Sequence, residues 1–176
     1  MTWITTFSGH HFDYADPDIN SICISDIAHA LSNECRYAGH CPQFYSVAQH
    51  SVLTSMIVPP AFALEALLHD AAEAYCKDIP SPLKALLPSY RSVEARIDAV
   101  IRRKFGLPAV NSPEVKDADL IMLATERRDL EIDPGTVWPM LEGIPVADLV
   151  VFPLTPCQAE RAFFERWDEL NQRIAS

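Results

Sequence analysis

The sequence is short of positive charge: 14 Lys and Arg stand against 24 Asp and Glu, a net charge of −10 over 176 residues. That balance excludes the broad basic face a duplex nucleic-acid binder needs, so no nucleic-acid polymer is expected as a partner. An anionic substrate would have to be small and met by local cations. No run approaches the ~18 apolar residues of a membrane span, and Met1 is followed by no charged-then-apolar leader, so neither insertion nor export is expected. The five cysteines, Cys23, Cys35, Cys41, Cys76 and Cys157, are odd in number and contain no C-x-x-C pair. A disulfide framework and a cysteine-held structural zinc are both disfavoured; reduced thiols of a cytoplasmic protein are expected. There is no internal repeat and no low-complexity segment.

What is present is ordinary globular composition, 49% hydrophobic and 22% charged, at a length that suits one domain over residues 1–176. The opening "WITTFSGHHFDY" alternates weakly about Ser8-Gly9 and predicts a small β-hairpin. "ICISDIAHALSN" predicts a helix capped by Ser25, and "SVAQHSVLTSMIV" another ended by Pro59-Pro60. "AFALEALLHDAAEAY" reads as one uninterrupted helix. "SVEARIDAVIRRKFG" carries Val93, Ile97, Val100 and Ile101 at helical spacing and stops at Gly106. Ser112-Pro113 opens a helix running to about Leu130. Residues 131–154, with four prolines and two glycines, form a long excursion. Thr155 and Gln158 make a capping box for a last helix with the stripe Phe163, Trp167, Leu170 and Ile174. The expected fold is all-α, a helical bundle with a small N-terminal β-hairpin.

The stretch "LLHDAAEA" puts a histidine and two carboxylates into an otherwise plain helical core. On a helical wheel His69, Asp70 and Glu73 share an arc of ~100°, opposite Leu64, Leu67, Leu68 and Ala71. A solvated polar stripe and a metal or acid–base site both fit that pattern. His50 lies at the edge of a stripe formed by Val52, Leu53, Met56 and Ile57. In "EVKDADLIMLATE" Asp119 falls among Val115, Met122, Leu123 and Leu130, whereas Asp117 points away beside Arg128. An unpaired carboxylate in a core costs several kcal/mol, so Asp119 needs a cation or strong donors. Two inward candidates on separate helices and a His-Asp pair on a third point to one divalent ion. Imidazole nitrogens with carboxylate oxygens suit Mn, Co, Fe or Zn.

The order His50, His69-Asp70, Asp119 resembles the HD-domain superfamily of metal-dependent phosphohydrolases. "CRYAGH", "FYSVAQHS", "LLHDAAEAYCKDIPSPLK" and "KDADLIMLATERRDL", spanning roughly residues 30–130, look like its 5′-deoxynucleotidase-like branch in phage and prophage form. The resemblance implies that His50, His69, Asp70 and Asp119 are the metal ligands and Glu73 the acid/base. It also implies that Arg36 holds phosphate, that Asp78 accepts from the deoxyribose 3′-hydroxyl, and that Lys84 reaches phosphate. Tyr37 stands where better-known relatives have a tryptophan linked to rejection of the ribose 2′-hydroxyl, and His40 is placed to line the pocket. His10 and His11 read as loop or strand residues rather than a second metal site.

The implied activity is removal of phosphate from deoxynucleoside monophosphates. One rival is a deoxynucleoside triphosphohydrolase releasing triphosphate, with Lys77, Lys84 and Arg91 as added cations. Another is a non-catalytic nucleotide-binding regulatory module. A homo-oligomer is expected as well. Trp138, Met140, Leu141, Ile144, Leu149, Val150, Val151 and Phe152 make the 131–154 segment too apolar for a free loop, and the resembled proteins are oligomeric. The alternative is that this segment folds back over the chain's own core.

Overall fold

Capping residues and prolines set most of the helix boundaries. In a computed structural model, which describes residues 1–174, strands β1 (Trp3–Thr5) and β2 (His11–Asp13) pair antiparallel with Ile4 opposite Phe12. Phe12 is fully buried and stacks on Tyr75 at 4.2 Å, which docks the hairpin on the helices. Helix α1 (Ile24–Asn33) begins two residues earlier than the Ser25 cap predicts. Cys23 takes the extended cap conformation, and Ser25 lies inside the first turn.

Helix α2 (Val47–Ile57) starts at Ser46, whose hydroxyl accepts the Gln49 N–H at 3.1 Å, and stops before Pro59-Pro60. It packs against α1, α3, α7 and α8, which buries it on most of its faces. Two of its buried hydroxyls pair within the helix, Thr54 donating to the His50 carbonyl and Ser55 to that of Val52, whereas the buried Ser51 hydroxyl has no partner. Met56, expected in its apolar stripe, is instead 60% exposed.

The expected single helix around "LLHDAAEA" is two. α3 (Ala63–Leu67) and α4 (Glu73–Cys76) are separated by a turn through Leu68–Ala72. The His69 ring explains the break. Its Nδ1 donates to the Ala66 carbonyl at 2.7 Å, the carbonyl that an α-helix would give to the Asp70 N–H. The following bonds, Ala71 to Leu68 and Glu73 to Asp70, then run at the tighter i→i−3 spacing.

α5 (Ser81–Lys84) follows, then α6 (Pro88–Phe105), which starts earlier than expected because Pro88 serves as a first-turn proline. Gly106 ends α6 in the left-handed region at φ 67°. α7 (Pro113–Asp129) and α8 (Pro156–Ile174) match the expected bounds, with reciprocal Thr155–Gln158 bonds opening α8. Phe163 and Leu170 are buried and Trp167 half-buried; the side chain of Ile174 lies outside the described residues.

Residues 131–154 lie over the chain's own core on one side. Ile132 and Val151 are buried with Tyr45, Met122 and Leu130. Gln49 ties the segment to α2, donating to the Phe152 carbonyl at 2.8 Å and accepting the Leu154 N–H at 2.9 Å. Val137, Met140, Val146, Val150 and Phe152 remain exposed on the outer side. Among the described residues no helix is long and apolar enough to cross a membrane.

Candidate metal centre

His50 comes from the middle of α2, His69 and Asp70 from the turn after α3, and Asp119 from α7. Their donor atoms converge. His50 Nε2 lies 3.3 Å from His69 Nε2, 3.1 Å from Asp119 Oδ1 and 3.8 Å from Asp70 Oδ2. His69 Nε2 is 3.2 Å from Asp70 Oδ2 and 3.9 Å from Asp119 Oδ1. Ligands about 2.0–2.2 Å from one ion stand roughly 3.0–3.5 Å apart in tetrahedral or octahedral geometry; the 3.1, 3.2 and 3.3 Å separations meet that spacing, and those of 3.8 and 3.9 Å are wider. His50, His69 and Asp119 are thus placed to hold a metal. The Asp119 side chain is 44% exposed, so it closes the mouth of the site rather than entering the core as expected. Asp117 is exposed on the opposite face of α7, as expected.

The outer nitrogens fix which imidazole atom is free. His50 Nδ1 meets Glu126 Oε1 at 2.5 Å, and His69 Nδ1 meets a carbonyl. Both partners only accept, so each Nδ1 carries a proton and each Nε2 points into the site, where it offers a lone pair once deprotonated. Burial is the strongest influence on His50 and, with Arg36, opposes its protonation. Glu126 and Asp119 outweigh them and raise its pKa to about 9 in the metal-free chain. Metal binding would therefore release a proton.

Glu126 joins this cluster, and the sequence had not singled it out. It is fully buried and takes four donors: His50 Nδ1 and Tyr45 OH (2.9 Å) on Oε1, Tyr37 OH (2.6 Å) and Arg36 Nε (3.2 Å) on Oε2. Burial alone would raise its pKa, but Arg36, His50 and Tyr37 bring it down to about 2. The signal was present in the pattern, because Glu126 lies seven residues after Asp119 and so on the same face of α7.

Arg36 reaches the centre from the segment between α1 and α2, held by its backbone N–H on the Tyr45 carbonyl. Its Nη1 lies 3.8 Å from Asp70 Oδ2. The next residues, Tyr37 and Ala38, adopt left-handed φ of 58° and 51°, conformations costing about 1–2 kcal/mol each outside glycine. The turn aims the Tyr37 hydroxyl at Glu126, so that hydroxyl is committed inward. His40 is exposed at the far end of the turn and is not brought to the centre.

Glu73 opens α4 beside this cluster. Burial, then the charges of Asp70 and Asp78, push its carboxyl well above the usual range, against Lys84 and Arg36. Its Oε2 is buried without a protein hydrogen-bond partner. Lys84 Nζ stands 3.8 Å from Glu73 Oε1 but 2.7 Å from Glu94, its main partner. Asp78, also raised chiefly by burial, feels both Arg36 and Asp70. Before it, Lys77 sits at φ 75° and ψ 149°, a region almost reserved for glycine. The Lys77 ammonium pairs with Glu34 instead of facing the centre.

A second polar group gathers His10, Cys23 and Asp26 at the hairpin turn. The Ser8 hydroxyl lies among them, at 2.9 Å, 3.5 Å and 2.8 Å respectively, and the Ser8 N–H also donates to Asp26. This network pins the hairpin to α1. His11 stacks on Trp3.

No protein-family model matches the chain. It is similar to the uncharacterized protein RCAP_rcc00048 of Rhodobacter capsulatus, with 36% identity over 126 residues, 66% of this chain and 64% of that protein. The similarity to the uncharacterized protein YfdR of Escherichia coli (strain K12) is higher, 59% over 173 residues, covering 98% of this chain and 97% of YfdR. With that identity over nearly the whole of both lengths, the chain belongs to the YfdR family.

Proposed function

We propose that the chain is a metal-dependent phosphohydrolase of the HD-domain superfamily, acting as a 5′-deoxynucleotidase that converts deoxynucleoside monophosphates to deoxynucleosides and phosphate. The observation that carries this reading is the convergence of His50, His69 and Asp119 from three separate segments, with Asp70 3.2 Å from His69 and Arg36 and Glu73 beside them. In this reading His50, His69, Asp70 and Asp119 hold one divalent transition-metal ion: Co, Mn, Zn or Fe. When bound, such an ion supplies Lewis-acid polarisation of a phosphoryl oxygen and lowers the pKa of water.

The chain's own residues do the rest. Arg36, anchored through Nε on Glu126, keeps its outer nitrogens for phosphate oxygens. Glu73, whose carboxyl burial pushes well above the usual range, serves as the general acid toward the leaving 5′-oxygen. Asp78, beyond the strained Lys77, accepts from the sugar 3′-hydroxyl. Monophosphates are favoured over triphosphates because Lys77 and Lys84 are already paired with Glu34 and Glu94. In the same account the exposed Val137, Met140, Val150 and Phe152 meet a second copy, giving a homo-oligomer whose mass light scattering would read.

Product analysis after incubation with dAMP, dGMP, dATP and dGTP in the presence of Mn or Co tests the function. Phosphate released from the monophosphates is expected. Intact triphosphate from dATP or dGTP would instead make the chain a triphosphohydrolase, and no product from any of them would end the enzymatic reading.

A further inference from the structure

We propose that Glu126 is a positioning residue that couples the metal seat to the anion-binding arginine, through one carboxylate whose two oxygens each serve one of them. The inference rests on the metal-dependent reading above. Oε1 takes His50 Nδ1 and the Tyr45 hydroxyl; Oε2 takes Arg36 Nε and the Tyr37 hydroxyl. A carboxylate offers about four acceptor positions, and here all four are filled by donors from three different segments. Glu126 itself touches neither the ion's position nor the space before Arg36, so it acts only through these partners.

Two consequences follow from this geometry. With Oε1 accepting from Nδ1, the His50 ring keeps its Nε2 lone pair on the side of His69 and Asp119. With Oε2 accepting from Nε, the guanidinium plane is held with its other nitrogens toward Asp70, and the left-handed Tyr37–Ala38 turn stays closed. A side chain that satisfied only one oxygen's partners would release the other half. Glutamine is such a side chain, because its amide nitrogen would set donors against the donors of either His50 and Tyr45 or Arg36 and Tyr37. The metal seat and the anion seat are therefore expected to loosen together.

The test uses the full chain, stripped of metal and titrated with Co(II), followed by its visible d–d absorption and then by inorganic phosphate titration of the cobalt form. Glu126→Gln is expected to weaken Co(II) binding about 10–100-fold, to change the absorption of the cobalt that remains bound, and to weaken phosphate binding to the cobalt form. Glu114→Gln, the same change at an exposed position of α7, should alter none of the three. Should Glu126→Gln fail to fold, Glu126→Asp keeps the charge but is one methylene too short to span both pairs, and it carries the same expectations. Wild-type cobalt affinity and spectrum in the variants would overturn the role, as would weakened cobalt binding with spectrum and phosphate affinity unchanged. A wild-type chain that takes up no cobalt would overturn the parent reading, and the role of Glu126 with it.

Discussion

Replacing Glu73 with methionine should make the metal-stripped protein no less stable while nearly abolishing turnover. Glu73 is 9% exposed, and its Oε2 is buried without a protein partner. Burial of an unpaired polar group costs about 1–3 kcal/mol by mutational measure. Methionine keeps the length and most of the volume, and volume-conserving swaps cost less than about 1.5 kcal/mol. The lost contact with Lys84, at 3.8 Å, subtracts less than about 1 kcal/mol, since Lys84 keeps its closer partner Glu94. Taken at their midpoints these three contributions leave about 0.75 kcal/mol of added stability, within bounds of about −1.5 and 3 kcal/mol. At roughly 2–4 °C per kcal/mol for a chain of this size, Tm should hold or rise by a few degrees. Turnover should fall by about 10²–10⁴, the usual contribution of an acid/base group. Thermal melting of the stripped protein reads the first quantity and phosphate release the second. A Tm lowered by more than about 5 °C would refute the packing argument, and turnover within a few-fold of wild type would refute the acid/base role.

The two aspartates of α7 should separate cleanly. Asp119→Ala should lose most metal uptake, measured by elemental analysis after dialysis, whereas Asp117→Ala should keep it; equal loss in both would sink the assignment. Lys77→Gly should relieve about 1–3 kcal/mol of backbone strain, partly offset by about 0.5–1 kcal/mol of added unfolded-state entropy. A denaturant midpoint that moves upward is therefore expected, and a midpoint well below wild type would show that Lys77 is not strained.

Much of the fold was legible because local chemistry and packing agreed. Pro113, Gly106 and the Thr155–Gln158 box mark helix ends through backbone preferences or bonds between neighbouring residues, so they need no knowledge of the tertiary structure. The face argument separated Asp119 from Asp117 because α7 is long and regular, although Asp119 stands at the mouth of the site and not in the core. The helix through "LLHDAAEA" was misread because the break is caused by a tertiary role. The His69 ring, turned toward the centre, takes the Ala66 carbonyl, and no propensity scale registers that competition.

Glu126 escaped for a different reason. Within "ATERRDL" it looks like part of a solvated charge cluster, beside Arg127 and Arg128, and only its seven-residue offset from Asp119 marks it as inward. Its partners Arg36, Tyr37 and Tyr45 are far away in sequence and arrive through a left-handed turn that ordinary residues seldom adopt. Residues 131–154 met the fold-back alternative in part. Ile132 and Val151 joined the core, and Val137, Val150 and Phe152 did not.

The most direct test of the central claim is phosphate release from dAMP by the chelated protein before and after Mn(II) or Co(II) is restored, with His69→Ala alongside. The account predicts no release from the stripped chain, recovery on adding metal, and no recovery in the variant. Release that is indifferent to chelation, or a His69→Ala protein that recovers like wild type, would contradict it.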